Sequence, residues 1–504
     1  MYIVDNLKIT HSITNQTIID DFSISMNYGD KIAIIGEEGS GKSTLIKFFA
    51  HQTLSYADVS FKARSTSLVV TLIAQERMQA DMNIQTFLFN HNYDIDYKRL
   101  YHLLSGFGLE DDILDRLELN SLSGGEYTKL SIIKALMNPF DLLILDEPTN
   151  NLDLKSIKFL EAELLKIDRP LVFASHDRAF IKNVGNAILH LEQLERRHVT
   201  KHTFMRTDYQ SYVKHINKTI ENHNQLAKTE KQEYKVAKDK YYRMFNKLSH
   251  ASDHVSKVER DFVASKIKAK MNTVKTREKQ LEISKNNLTK TIEPESAAIF
   301  KLNSIFAPAN KEIVRLDLAR LSIGDKVLVE NLKLDIIGPK KIAIIGDNGV
   351  GKTTLIKTLL KACLVDFAYM PHSYHDVLDT EKTPIELLQR EGTRQEITDI
   401  MTHLGSLNFR SNEMEEQFKN LSGGQKAKTF FAMMSLLETQ LLVMDEPTRN
   451  ISPLSLDTLI QEINDYKGSV LIITHNRDLL SQTFDEIYEL TPKGLHLIER
   501  EALI

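Results

Sequence analysis

The sequence predicts an α/β protein in which one P-loop-bearing unit occurs twice, the copies flanking a long αα-hairpin. Three observations carry this. An apolar strand, a glycine loop and a helix are fused in KIAIIGEEGSGKSTLIK from Lys31, and nearly the same string, KIAIIGDNGVGKTTLIK, recurs from Lys341. In each copy a second apolar run ends in two carboxylates, LLILDEP and LLVMDEP. Between the copies, from about Tyr209 to Ile292, there is neither Gly nor Pro, and strong helix formers fill the stretch. Residues 1–205 are expected to form the first α/β domain, 206–294 a basic helical-hairpin linker and 295–504 the second domain.

Composition narrows the class. A chain of 504 residues has room for two to four domains, and 42% apolar with 26% charged residues is an ordinary globular balance. The single cysteine, Cys363, excludes an internal disulfide and fits a reducing, cytoplasmic setting. No apolar run approaches the roughly 18–20 residues a membrane helix needs, and the start, MYIVDNLKIT, lacks the apolar core of a signal peptide. No membrane contact is expected. A net charge of −4 gives no whole-chain case for nucleic acid, so any basic surface must be local.

Each P-loop stands between a strand and a helix, as phosphate binding requires. Backbone amides of Gly36, Glu37, Glu38, Gly39, Ser40, Gly41 and Lys42 can cradle phosphates, the Lys42 ammonium can neutralise β/γ oxygens, and Ser43, followed by Thr44, can reach Mg²⁺. Gly346, Asp347, Asn348, Gly349, Val350, Gly351, Lys352, Thr353 and Thr354 repeat the arrangement. Asp146 and Asp445, at strand ends, can hold the cation. Glu147 and Glu446 beside them can polarise an attacking water. LSGGE (Ser123, Gly124, Gly125) and LSGGQ (Ser422, Gly423, Gly424) are small-residue loops opening onto helices, where amides and the helix dipole favour an anion. LVFASHD ends a strand in His176, and LIITHN repeats it with His475. Signature serine, carboxylate and histidine recur at one spacing of 299 residues.

The linker is distinctive in charge. Ser211 to Lys290 holds 19 Lys and Arg against 9 Asp and Glu, so the rest of the chain is acidic. The hairpin is expected to turn near Leu248–His254, with Ser252 or Ser256 capping the return helix and a first helix on the order of 60 Å that projects beyond the compact domains. Tyr241, Tyr242, Arg243, Phe245, Lys247 and Leu248 cluster at its tip. Helix–helix packing is the plain account of those apolar residues; insertion into a pocket is the sharper one, and the basic excess points to a polyanion.

Together, the P-loop, LSGG loop and LLILDEP resemble the Walker A, signature and Walker B motifs of an ATP-binding cassette. That resemblance implies ATP and Mg²⁺ as ligands, Gln75 of LIAQE on Mg²⁺ and the water, Asp153 in a D-loop, and a γ-phosphate switch role for His176 and His475. It further implies two composite sites, one joining Gly36–Ser43 to Ser422–Gln425 and the other joining Gly346–Thr353 to Ser123–Glu126. Two fused cassettes, a basic linker and DYQSY (Asp208 to Tyr212) at its entrance are similar to the ABC-F family of translation-related ATPases over essentially the whole chain. This implies a cytosolic monomer without an obligate protein partner, bound to the ribosomal E site of the 70S particle through the 50S subunit, rRNA and P-site tRNA. The long linker and the missing insertion in the first cassette resemble the antibiotic-resistance branch of Vga, Lsa and Sal type.

The second copy departs from the pattern. His372 stands at the Q-loop glutamine, Ser452 at the D-loop aspartate, and THN replaces SHD. No stacking aromatic is evident ahead of either P-loop, with His11 near that place in the first copy and aliphatic residues in the second. Faster turnover is therefore expected at the first P-loop, with the alternative that the D-loop reaches across the interface and Ser452 perturbs site one instead. A housekeeping translation factor is the main alternative. A transporter ATPase would have no use for a basic hairpin, and a DNA-repair ATPase would carry zinc cysteines.

Overall fold

The computed structural model describes residues 1–37, 39–74, 82–89, 95–115, 118–193, 199–253, 260–289, 291, 302–324, 326–374, 378–407 and 409–500. Contacts divide the chain into two units, Met1–Tyr209 with Glu295–Ile504, and Gln210–Pro294.

The first cassette begins with β1 (Tyr2–His11) and β2 (Thr17–Met26), followed by β3 (Lys31–Ile35), α1 (Lys42–Phe49), β4 (Ala57–Ser60), β5 (Ala63–Arg64) and β6 (Val70–Ile73). A short helical region holds α2 (Ile84–Phe89) and α3 (Tyr97–Gly106), and α4 (Gly124–Met137) returns the chain to the core. Then come β7 (Leu142–Asp146), α5 (Leu154–Leu165), β8 (Leu171–Ala174), α6 (Arg178–Val184), β9 (Ala187–Gln193) and β10 (Val199–Met205). The six-stranded sheet runs β10-β9-β3-β8-β7-β6. All its pairs are parallel except β10 with β9. Parallel strands covered on both faces need apolar residues at every position, and every residue of β7 and β8 is buried. Separately, β2, β4 and β5 pair antiparallel with β1.

The second cassette comprises β11 (Glu312–Ile323), β12 (Lys326–Ile337), β13 (Lys341–Ile345), α9 (Lys352–Lys361), β14 (Phe367–Met370), α10 (Pro384–Leu388), α11 (Arg394–Ser406), α12 (Ser411–Met414), α13 (Gly423–Ser435), β15 (Leu441–Asp445), α14 (Leu456–Asp465), β16 (Ser469–Ile473), α15 (Arg477–Gln482), β17 (Glu486–Thr491) and β18 (Gly494–Ile498), the linker helices taking α7 and α8. Its sheet, β18-β17-β13-β16-β15-β14, repeats the first strand for strand. In both, the P-loop strand lies at the centre, so its C-terminal end presents the loop where helix N-termini converge.

The second unit is an αα-hairpin built from α7 (Tyr209–Asp253) and α8 (Arg260–Asn286). The pairing is antiparallel: Arg277 Nη1 donates to Met244 Sδ at 2.6 Å, and the Thr289 amide donates to Glu230 Oε2 at 2.9 Å. The first helix is longer than expected, about 65–70 Å at 1.5 Å per residue. It continues through Ser252, which therefore does not cap the return helix. Serine inside a helix costs only tenths of a kcal/mol, too little to end one without Gly or Pro. Ser256 lies outside the described residues. Near the tip, the Tyr241 and Phe245 rings stack at 6.1 Å, and Tyr242 and Phe245 stay partly exposed. Leu248 is described only in its helical backbone. Among the described residues no helix is long and apolar enough to cross a membrane.

Candidate functional site

The first P-loop leaves the buried end of β3 through Gly36 at φ 142°, where a Cβ would lie 2.3 Å from the Leu191 carbonyl oxygen. The loop enters α1 through Gly41 at φ 99°, and no side chain caps that helix. Its first amides thus remain available to an anion. Lys42 Nζ arches over the loop onto the Gly36 and Glu37 carbonyl oxygens, at 2.8 and 3.0 Å. Ser43 hydrogen-bonds Asp146, whose carboxyl is raised to about 6 by burial and by the adjacent Glu147. Glu147 takes φ 51° and Glu446 φ 54°, a left-handed backbone that costs a non-glycine residue of order 1–3 kcal/mol. The same strain appears in both copies at the residue that would face the water.

The switch strand brings His176 onto Glu147. The His176 amide donates to Glu147 Oε2 at 3.1 Å, and its ring Nε2 lies 3.3 Å from Oε1. On the other side, His176 Nδ1 meets the Ile451 carbonyl oxygen of the second cassette at 2.7 Å. A carbonyl only accepts, so Nδ1 carries the proton. A cavity of about 520 Å³ collects these groups: Gly39, Gly41, Lys42, Ser43, Thr44, Asp146, Glu147 and His176 from the first cassette, with Ser422, Arg449 and Asn450 from the second. Hydroxyl and carboxylate oxygens, as on Ser43 and Asp146, are the donors a Mg²⁺ takes. The residues fit a Mg²⁺-bound nucleotide.

The second P-loop has matching geometry. Gly346 (φ 152°) would place a Cβ 2.6 Å from the Leu490 carbonyl oxygen, and Gly351 (φ 108°) opens α9 without a side-chain cap. Lys352 Nζ donates to the Gly346 and Asp347 carbonyl oxygens at 2.6 and 3.1 Å, and Thr353 Oγ1 donates to Asp445 Oδ2 at 2.9 Å. The loop meets the first cassette: Asn348 donates to the Asn151 carbonyl oxygen, and a Cβ on Gly125 would lie 3.2 Å from Asn348 Nδ2. Burial, then Asp445, push Glu446 up to about 8, whereas burial and the Lys352 charge drive His475 down to about 3. His475 Nε2 stands 3.7 Å from Glu446 Oε1.

Each signature loop opens its helix with a capping box. Ser123 accepts from the Glu126 amide while Glu126 Oε2 accepts from the Ser123 amide, and Ser422 and Gln425 repeat the exchange. Gly124 lies near Asn151, and Gly423 and Gly424 begin α13. Glu38 and Gln75 lie outside the described residues. His372 Nε2 faces Arg449 Nη1 at 3.0 Å.

Sequence reasoning missed Tyr56. It lines the first cavity with His11, the rings 6.3 Å apart, and its hydroxyl lies 3.1 Å from Thr44 Oγ1. Tyr56 follows the P-loop helix and belongs to no motif, so only folding brings it to the cavity. It missed Arg449 and Asn450 for a related reason, because they reach the first cavity from the other cassette.

The ABC transporter family model matches residues 19–150 and 364–449. The ribosome protection protein VmlR of Bacillus subtilis is 27% identical, covering 98% of this chain and 87% of its own. ATP-binding protein Uup of Buchnera aphidicola is 27% identical (96% and 79% covered), as is ABC transporter F family member 2 of Arabidopsis thaliana (97% and 76%). Among solved structures, the complex of archaeal ribosomal stalk protein aP1 and ribosome recycling factor aABCE1 matches with a TM-score of 0.62 at 16% identity, covering 98% of this chain and 89% of that one. This last likeness is one of fold. The chain is an ATP hydrolase with two tandem ABC nucleotide-binding domains, and its full-length similarity is to ABC-F proteins.

Proposed function

We propose that this protein is a cytoplasmic ABC-F ATPase that binds the 70S ribosome at the E site of the 50S subunit in an ATP-closed form. Its linker acts toward P-site tRNA and the rRNA of the peptidyl-transferase centre, lowering occupancy by lincosamides, streptogramin A and pleuromutilins in the manner of the Vga, Lsa and Sal branch. The observation that carries this reading is the coexistence of an ATP cavity lined by both cassettes with a hairpin holding 19 basic against 9 acidic residues. A polyanion is the natural partner of that surface. The name and full-length match of the ribosome protection protein VmlR support the same reading.

In this function Glu147 and Glu446 take a proton from water as its oxygen attacks the γ-phosphorus, and the bond to the bridging oxygen breaks with its electrons leaving on ADP. His176 and His475 hold γ-phosphate oxygens, and Lys42 and Lys352 offset charge on the β/γ oxygens. Ser43 with Asp146 and Thr353 with Asp445 would hold a Mg²⁺, which would supply further charge neutralisation. The signature serines Ser123 and Ser422 close each nucleotide from the opposite cassette.

Sedimentation of a Glu147→Gln, Glu446→Gln double variant with 70S ribosomes in ATP tests binding, which is expected to persist. Inhibitory concentrations in a susceptible Gram-positive host test protection. Ribosome binding with unchanged values for all three drug classes replaces resistance by a housekeeping role, a reading consistent with relatives such as Uup, whose name states no protection. Failure to sediment removes both.

A further inference from the structure

Two residues beyond each switch histidine stands an arginine: Arg178 after His176 and Arg477 after His475. The charged partners of each lie in the opposite cassette. Arg477, which opens α15, donates to Glu161 of α5, with Nη1 at 3.2 Å from Oε2, and its Nη2 reaches Asp177 Oδ2 at 3.2 Å. Glu161 is also held by Asn183 Nδ2 at 3.0 Å. Arg178, which opens α6, makes a two-pronged contact with Asp457 of α14 at 2.6 and 3.1 Å. Its Nε lies 3.6 Å from Asp478 Oδ2 in α15, and Lys182 Nζ donates to Asp478 Oδ1 at 3.3 Å.

These contacts end on the backbone that carries the histidines. Asp177 follows His176 directly, and its Oδ1 caps α6 by accepting from the Ala179 and Phe180 amides at 2.9 and 3.2 Å. Arg477 grips the other oxygen of that same carboxylate. Across the interface, Arg178 and Lys182 together fix Asp478 in the first turn of the helix after His475, while Asn476 caps it through the Leu479 amide at 3.0 Å. Except for Asp457, 66% exposed, the side chains of the arginine pairs are largely shielded from solvent. Breaking such a pair leaves an uncompensated charge, so the geometry is firmly held. Neither arginine lines the nucleotide cavity.

We propose that Arg178 and Arg477 are reciprocal positioning residues: each straps the cassette interface and holds the switch histidine of the opposite cassette in register with its carboxylate. Arg477 acts on His176 through Asp177, and Arg178 acts on His475 through Asp478. The two ATP sites are thereby coupled mechanically through residues outside the lining of the first cavity. This depends only on ATP hydrolysis, and holds whatever partner the ATPase serves.

Single-turnover ATP cleavage by the full-length protein tests it, with nucleotide affinity measured in parallel. Replacing Arg477 by Ala is expected to slow cleavage about tenfold to a hundredfold, the range for a small misplacement of a catalytic group, while leaving ATP affinity within about twofold. Arg477→Lys, which keeps the charge, restores part of the rate. The Arg477→Ala loss disappears when His176 is already Ala and persists when His475 is Ala; for Arg178→Ala the two backgrounds exchange roles. Losses that are additive in both backgrounds, or that fall on affinity alone, overturn the proposal. Should the alanine variants fail to fold by circular dichroism, the same cycles are run with Arg→Lys, and additivity there overturns it equally.

Discussion

The two ATP sites share motifs and topology yet differ in what surrounds the motif. At the first, His176 Nδ1 is held by the Ile451 carbonyl oxygen of the opposite D-loop at 2.7 Å, and Nε2 lies 3.3 Å from Glu147 Oε1. At the second, neither ring nitrogen of His475 has a hydrogen-bond partner among the described residues, and Glu446 is 3.7 Å away. The difference arises because each D-loop serves the other cassette's site. Ser452 therefore belongs to the surroundings of the first site, while the Asp153 charge is felt by Lys352 and His475 at the second. A departure read in one copy has its effect in the other.

The signature loops sharpen the contrast. The loop that closes the first site carries neutral Gln425, whereas the one that closes the second carries Glu126 in the same capping position. An anion arriving at the second site meets a carboxylate on the helix N-terminus that should receive it. The aromatic faces of His11 and Tyr56 line the first cavity, while the glycine that opens each P-loop helix meets an aliphatic side chain in both copies, Ile18 at Gly41 and Leu328 at Gly351.

The largest effect is expected at the carboxylates. Glu147→Gln should lower steady-state ATPase by about 10²–10⁴-fold, the worth of a positioned general base, without weakening ATP binding. Glu446→Gln should cost less. Equal losses, measured by phosphate release, would remove the asymmetry between the sites.

Next in size is the D-loop exchange Asp153→Ser. Asp153 pairs with buried Lys129 at 3.0 Å and caps α5 through the Ser156 amide at 2.8 Å. Serine can still cap, so the loss isolates the ion pair, and roughly 3 kcal/mol should disappear in urea unfolding. Burial alone would raise the Asp153 carboxyl, but the Ser156 amide and Lys129 outweigh it and hold it below its usual value. A lowered folded pKa means the stabilisation is complete above about pH 4, the unfolded value, and fades as pH falls through the folded one. The wild-type and Asp153→Ser unfolding curves should therefore converge in acid. A gap that stays constant down to about pH 2 would show that the carboxylate's charge is not what the mutation removes.

Tyr56→Ala should cost about 1–3 kcal/mol of ATP affinity at the first site, the range for base–aromatic stacking, and little at the second. Titration of a fluorescent ATP analogue with Lys352→Ala in the background reads the first site by itself. No change there would mean that Tyr56 packs against Thr44 and leaves the base alone. The smallest effect belongs to Glu126→Gln. Removing a charge at a helix N-terminus facing an anion should tighten ATP at the second site by about 0.3–1 kcal/mol. Weaker binding in the reciprocal Lys42→Ala background would place Glu126 elsewhere in the energetics.

Most of the architecture was legible in the sequence because local chemistry dictates it. A glycine loop between an apolar strand and a helix has few other uses, and its recurrence together with signature serine, carboxylate and histidine at one spacing foretold two sheets of the same strand order. The hairpin was legible from the absence of Gly and Pro, although its first helix runs on through Asp253, since a serine inside a helix costs too little to stop it. Tyr56, by contrast, lies in no motif and in no periodic segment; it lines the cavity only because β4 pairs with β1 beside the P-loop helix.

The sequence by itself determined the parts of each ATP site that come from one continuous strand–loop–helix, since a P-loop or a Walker B carboxylate is built by its immediate neighbours in the chain. The crossing of the two copies, which the sequence carries only through family resemblance, rests on contacts that the tertiary structure supplies. The Ile451 carbonyl oxygen on His176, Asn151 against Asn348, and Arg477 on Glu161 join residues hundreds of positions apart. Such pairs leave no spacing rule in the sequence, because their geometry is fixed by two separately folded surfaces meeting face to face.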